Sequence, residues 1–242
     1  MSNTTNAPKG EAKLAVVTGV GPGTGSAIVR RLVAGGYAVA MIARSGERLA
    51  RLASELPAAR AYPADVTNAA ELDAALERIE NELGQPRVLV HNAVGGSFGN
   101  FLEIDPKTLD RNFQVNVMAL LHLARRLAPA MVRAGDGAII ATGNTSALRG
   151  KSRFAGFAPT KAAQRILAES MARELGPQGV HVAYLVIDAV IDVPWTRKAR
   201  PNAPDEFFIR PADIADEIWH VLHQPRSAWS FNVEVRPYGE SW

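Results

Sequence analysis

Eight consecutive residues, Thr18-Gly19-Val20-Gly21-Pro22-Gly23-Thr24-Gly25, place four glycines within a single turn. Glycine lets a backbone bring its N–H groups close to a phosphate, and a helix starting there adds the positive end of its dipole. The segment follows an apolar, valine-rich run over 13–18 and precedes apolar residues at helical spacing over 26–33. Strand, turn and helix thus stand in the order a pyrophosphate site requires, and Gly19, Gly21, Gly23, Thr24 and Gly25 are candidate dinucleotide contacts. A turn that needs glycine only for its shape is the plainer alternative.

Other residues could choose or process a ligand. Arg44 follows the second strand-like run, where an acidic residue would bind a ribose 2′-hydroxyl. A guanidinium there pairs with a 2′-phosphate, so NADP(H) is favoured over NAD(H), against the reading of Arg44 as an exposed strand-end arginine. His91 ends the fourth run and could exchange protons near neutrality, or serve as a hydrogen-bonded structural histidine. Asp188 follows the sixth run as a relay group, a substrate contact or a turn former, with Tyr184 inside that run. Arg197, Lys198 and Arg200 lie among Trp195, Phe207 and Phe208 in a segment over 193–209 that reads as a substrate lid. Its charge suits an anionic or CoA-linked small molecule, or belongs to a solvated surface.

The elements that must hold these residues alternate. Apolar runs over 13–18, 37–43, 60–62, 87–91, 137–142, 180–187 and 230–236 read as about seven strands. Between them, 26–33, 46–56, 72–83, 106–133, 157–175 and 211–222 carry helical periodicity. Such alternation predicts an α/β fold, a Rossmann-type doubly wound parallel sheet with helices on both faces. Ligands then bind beyond the strands' carboxyl ends, where the strand order reverses. A length of 242 residues, 47% of them hydrophobic, suits a single domain over 13–242. Residues 1–12 are polar and read as a disordered tail, not as a signal peptide or anchor.

Composition excludes further chemistry. The chain has no cysteine, so disulfides, zinc thiolates and a cysteine nucleophile are ruled out, and no metal site is expected. The net charge of +3 is spread among Asp and Glu, over 71–82 and 165–174 for example, which argues against a nucleic-acid partner. No apolar stretch approaches the ~20 residues of a membrane span, and a cytoplasmic location is expected.

The glycine turn resembles the TGxxxGxG pattern of the short-chain dehydrogenase/reductase family, matched by Thr18, Gly19, Gly23 and Gly25, and the likeness extends over 13–236. It implies that Asp65 and Val66 contact adenine and that Asn92 and Ala93 match the family's NNAG, with His91 and Val94 departing from it. Val190 joins the implied cofactor contacts. Family members use a tyrosine as acid or base, a lysine four residues later that holds the nicotinamide ribose, a serine that polarises the carbonyl, and an asparagine that organises a proton-relay water. Carried over, these positions hold Phe157, Lys161, Asn144 and Asn116, with Ser146 as a stand-in for the serine. Phe157 has no proton to give, so the resemblance implies a reductase of a carbonyl or conjugated C=C compound with another proton donor. The family's enoyl- and dienoyl-CoA reductases are the variant within enzymes; a catalytically silent dinucleotide sensor or scaffold is the alternative from another class. The resemblance also implies a homodimer or homotetramer through the helices over 106–133 and 157–175, with Val117, Leu120, Leu121, Ala124, Ile166, Leu167 and Met171 as candidate contacts.

Overall fold

The computed structural model describes residues 13–239, so the predicted tail over 1–12 lies outside the described residues. Its strands are β1 (Leu14–Thr18), β2 (Ala38–Ala43), β3 (Ala59–Pro63), β4 (Val88–His91), β5 (Gly137–Gly143), β6 (Val180–Ile187), β7 (Val190–Ile191), β8 (Phe208–Ile209) and β9 (Asn232–Val235). Seven of them form one parallel sheet in the order β3-β2-β1-β4-β5-β6-β9, the doubly wound arrangement the alternation predicts. Order reverses beside β1, which makes the gap above β1 and β4 the natural ligand crevice.

Both faces of the sheet are covered. In β1, Leu14 and Val16 join one core cluster while Ala15 and Val17 join the other, since successive strand side chains point to opposite faces. Burial on both sides is why these strands read as unbroken apolar runs instead of alternating patterns. Helices α3 (Ala69–Leu83), α5 (Ala119–Ala134) and α6 (Ala158–Leu175) supply Leu76, Leu123 and Ala168 to the first face. On the second face, α1 (Thr24–Ala34), α2 (Gly46–Glu55) and α8 (Pro211–Leu222) supply Ile28, Leu49 and Ile218.

Three expectations need correction. The helix predicted over 106–133 is not one regular helix: α4 (Pro106–Phe113) passes into a π turn, Gln114–Met118, before α5 begins. Ala119 N–H accordingly bonds the Gln114 carbonyl five residues back, a spacing that apolar periodicity cannot reveal. The segment over 193–209 carries regular structure that the sequence did not suggest, a short helix α7 (Pro194–Ala199) and the two-residue strand β8 paired in parallel with β7. The expected association face is largely core: Leu120 and Ala124 are buried in the first cluster, and Leu167 and Met171 pack against it half-buried. Val117 and Leu121 are also half-buried, whereas Ile166 stays 60% exposed.

His91 is a strut between layers. Its Nε2 lies 3.1 Å from the Val115 carbonyl, which can only accept, so Nε2 carries the proton and Nδ1 accepts from the Thr18 hydroxyl at 3.0 Å. Burial, with the Lys161 charge nearby, lowers its pKa from 6.5 to about 3, so the ring is neutral in the fold. The unfolded chain binds a proton below about pH 6.5 that folded His91 refuses until about pH 3. This contribution to stability is therefore present above pH 6.5 and lost as pH falls. Denaturant midpoints should show a loss of ~2 kcal/mol from pH 7 to 5 attributable to this ring, and His91→Gln should flatten that slope. Leu120→Ala is expected to cost ~2–5 kcal/mol in urea unfolding while leaving the association state unchanged by light scattering, as a core residue requires.

Candidate active site

A cleft of about 1130 Å³ opens where the strand order reverses. The turn that forms its wall is pinned by close approach. Gly19 has φ +70°, and a Cβ there would meet Ala93 N at 2.4 Å, so only glycine lets this turn lie on the end of β4. Asn92 closes the contact: its Nδ2 donates to the Gly19 carbonyl at 3.0 Å, and its Oδ1 accepts from Thr142 Oγ1 at 3.1 Å. One asparagine thereby ties the carboxyl ends of β1, β4 and β5 together.

The predicted cofactor contacts in the glycine turn, with Arg44, Asp65, Val66, Asn92, Ala93 and Val190, all line this cleft. Gly21, Gly23, Thr24 and Gly25 stand at the start of α1, where unpaired N–H groups favour an anion. The Thr24 hydroxyl is buried with no hydrogen-bond partner, a vacancy that a phosphate oxygen would fill. Turn shape and this orphaned hydroxyl together fit a dinucleotide pyrophosphate. Asp65 accepts from both the N–H and the hydroxyl of Thr67, which holds its carboxyl below the usual range with help from Arg44 and Arg111.

Sequence reasoning missed Ser45 and Arg48, which line the cleft beside Arg44. The signal was there: Ser45 is an N-cap serine accepting from Arg48 N–H, and Arg48 stands one helical turn beyond Arg44. Neither guanidinium makes a side-chain hydrogen bond or ion pair among the described residues. Both are exposed, so the α2 end of the cleft carries two free cations and a helix N-terminus.

The four residues expected at the catalytic positions, none of which lines the cleft, come together differently from expectation. Asn116 sits in the π turn, fully buried, and grips Gly95 by accepting from its N–H at 3.0 Å and donating to its carbonyl at 2.8 Å. Its Nδ2 also donates to Thr160 Oγ1, whose hydroxyl bonds the Phe157 carbonyl. Phe157 precedes α6 as its N-cap residue, buried against Gly96 and meeting Phe98 edge-on at 5.6 Å. Asn144 uses Oδ1 to cap the short turn Thr145–Ala147 through Ser146 N–H, leaving Nδ2 without a partner among the described residues. Ser146 lines a separate cavity of about 570 Å³ that shares no lining residue with the cleft.

Lys161, expected on the cofactor ribose, does not line the cleft. Only 2% exposed, it donates through Nζ to the Thr142 carbonyl at 3.0 Å and to Gln164 Oε1 at 2.9 Å. Burial lowers its pKa from 10.5 to about 7. The other candidate proton carriers are also engaged: both ring nitrogens of His91 are bonded, and Asp188 accepts from Thr145 Oγ1 at 3.0 Å and pairs with Arg236 at 3.5 Å. Tyr184 is buried in β6, which pushes its phenol well above the usual range.

Of the three cations in the basic segment, one is neutralised from within. Arg197 forks onto Asp192 at 2.7 and 2.9 Å, reaches Asp205 at 2.6 Å and stacks over Phe208. Its guanidinium is held charged by these partners and is no longer free for an anionic ligand. Arg200 lies over Phe207, while Trp195, 56% exposed, faces the cleft. Among the described residues, no helix is long and apolar enough to cross a membrane, and no cluster of His, Cys, Asp or Glu could hold a metal ion.

Comparisons with known proteins agree with this architecture. The chain is similar to an alcohol dehydrogenase from the archaeon Thermococcus sibiricus, complexed with 5-hydroxy-NADP, at 26% identity and TM-score 0.85, covering 96% of this chain and 99% of that one. It resembles the 3-ketoacyl-(acyl-carrier-protein) reductase of Brucella melitensis, complexed with NADH, at 27% identity and TM-score 0.85, covering 94% and 98%. A short chain oxidoreductase from Pseudomonas aeruginosa PAO1, described as containing an atypical catalytic center, is 25% identical with TM-score 0.83, covering 94% and 97%. A family model for short chain dehydrogenases matches residues 13–203. That match spans most of the sequence, and the chain belongs to the short-chain dehydrogenase family of oxidoreductases.

Proposed function

We propose that this protein is an NADP(H)-dependent reductase with an atypical active centre, in which Asn116, Asn144, Phe157 and Lys161 hold the positions of the family's four catalytic residues. The observation that carries the cofactor choice is the pair of free guanidiniums, Arg44 and Arg48, beside the N-terminus of α2. Two cations and an N-cap serine make a site for a phosphate dianion, and no acidic side chain at the end of β2 repels it. When bound, the dinucleotide supplies the hydride. The N–H groups at the start of α1 and the Thr24 hydroxyl would hold the pyrophosphate, Asp65 and Val66 would flank the adenine, and Asn92, Ala93 and Val190 would wall the opposite end.

The residues at that end bind and orient but offer little acid. The free Nδ2 of Asn144 is a donor for a substrate oxygen that reaches past the cleft lining, and the half-exposed Trp195 leaves the cleft open to solvent. With His91, Lys161 and Asp188 all engaged, the proton comes from solvent. This favours a conjugated C=C compound, whose negative charge is delocalised on reduction, over a simple ketone, whose alkoxide needs an acid at once. An anionic or CoA-linked substrate would meet Lys198 and Arg200 instead of Arg197. The reading includes a homodimer or homotetramer in which the exposed Ile166 on α6 is a contact.

The same engaged side chains favour a second reading, a catalytically silent sensor or scaffold that binds the dinucleotide without turning it over. Titration with NADPH and NADH, followed by cofactor fluorescence, separates the cases when joined to a turnover assay on enones, ketones and enoyl-CoA. NADPH should bind more tightly than NADH, and Arg44→Ala should weaken NADPH by ~10- to 100-fold with little effect on NADH, the worth of one charge-assisted phosphate contact. Equal affinities before and after the substitution would remove the NADP(H) assignment. Phe157→Tyr should raise ketone reduction by ~10² or more if a missing acid limits it; an unchanged rate with intact NADPH binding would favour the silent reading.

A further inference from the structure

Beneath the cleft floor, one side chain joins the buried ammonium to the interrupted helix. Gln164 is fully buried, stands three residues after Lys161 on the same face of α6, and bonds in two directions. Its Oε1 accepts from Lys161 Nζ at 2.9 Å, and its Nε2 donates to the Asn116 carbonyl at 2.8 Å. The carbonyl it reaches belongs to the π turn, where the ordinary helical ladder is broken. Tyr184 completes the enclosure: its hydroxyl lies 3.3 Å from the Lys161 carbonyl and 3.4 Å from Gln164 Oε1.

We propose that Gln164 is a positioning residue for Lys161, an amide that holds the ammonium beneath the cleft and closes the connection between Lys161 and Asn116 to proton transfer. The argument turns on what else could sit in that gap. A water molecule could also accept from an ammonium and donate to a carbonyl, but it could pass a proton along in doing so. A carboxamide offers the same acceptor and donor on two different atoms, and its N–H is not acidic near neutral pH. The path from Lys161 to the π turn thus runs through the amide, and the Lys161 proton has no route through it.

Among the described residues, Gln164 is the one side chain that accepts from the ammonium. The remaining bond goes to the Thr142 carbonyl. The titratable groups around the lysine are His91 at the end of β4, neutral by burial, and Tyr184 on β6, whose phenol is pushed up; among the described residues no carboxylate pairs with it. The lowered pKa of Lys161 agrees with a charge solvated by two neutral oxygens only.

The test reads Lys161 directly on the nucleotide-free protein, so it stands or falls apart from the NADP(H) reading. Lysine labelled with ¹⁵N in the full chain gives the Lys161 Nζ titration midpoint, assigned by its loss in Lys161→Met. Two substitutions separate positioning from general loosening. Gln164→Ser leaves room for water and should move the midpoint up toward that of ordinary lysines while speeding Nζ hydrogen exchange about tenfold. Gln164→Met keeps the volume, removes the acceptor and stays dry, so it should move the midpoint further down with exchange still slow. Opposite shifts support the assignment. Shifts in the same direction, or no shift in either variant, overturn it, and the volume-conserving Met variant keeps the measurement decisive should the Ser variant fail to fold.

Discussion

An ammonium group removed from water has to be solvated by the protein, and Lys161 is such a group. Its two oxygen partners come from the end of β5 and from its own helix, so the ammonium ties α6 to the sheet. Gln164, once turned toward the lysine, has an amide N–H to satisfy in a place no water is needed to fill, and the Asn116 carbonyl satisfies it. The π turn that opens this carbonyl also turns the Asn116 side chain onto Gly95, which sets the loop after β4. From there the order runs through Ala93 and Asn92 to the glycine turn. Hydrogen bonds thus run from Lys161 through Gln164 and Asn116 to Gly95, and from Asn92 to Gly19.

The cleft divides its charges unequally. At the α2 end, Arg44 and Arg48 are exposed and free, and the helix N-terminus adds to them. At the opposite end, cations and anions cancel internally: Arg197 against Asp192 and Asp205, Arg236 against Asp188. Ion pairs of this kind fix the geometry of a segment more than they add affinity for a ligand. The free positive charge of the cleft is thus concentrated at the α2 end.

What could be read from the residues follows from this same division. Strands buried on both faces announce themselves as apolar runs, and a glycine turn between strand and helix has a narrow choice of geometry, so the sheet and the lining of the cleft by Gly19, Thr24 and Arg44 were legible. Partner choice inside a buried network was not. Lys161 and Gln164 at i and i+3 look like any exposed helical pair, and only the packing shows that they face each other in a dry interior. Residues 114–118 carry no breaker, since a π turn needs one extra residue and no particular side chain. Arg197 read as free charge because Asp192 and Asp205 meet it only after the chain folds back on itself.

The inward turn of the lysine and the identity of residue 157 belong together. Phe157 places a ring, and no oxygen, above the ammonium, whose Nζ lies 5.9 Å from the ring centroid. The attraction of a cation for an aromatic face is worth ~1 kcal/mol and cannot replace a hydrogen bond from a buried charge. The ammonium therefore takes its partners from below, from β5 and Gln164, and the ring is free to pack against Gly96 and Phe98. Residue 157 thus offers the ammonium only a ring face while Gln164 offers an oxygen, and the oxygen holds it.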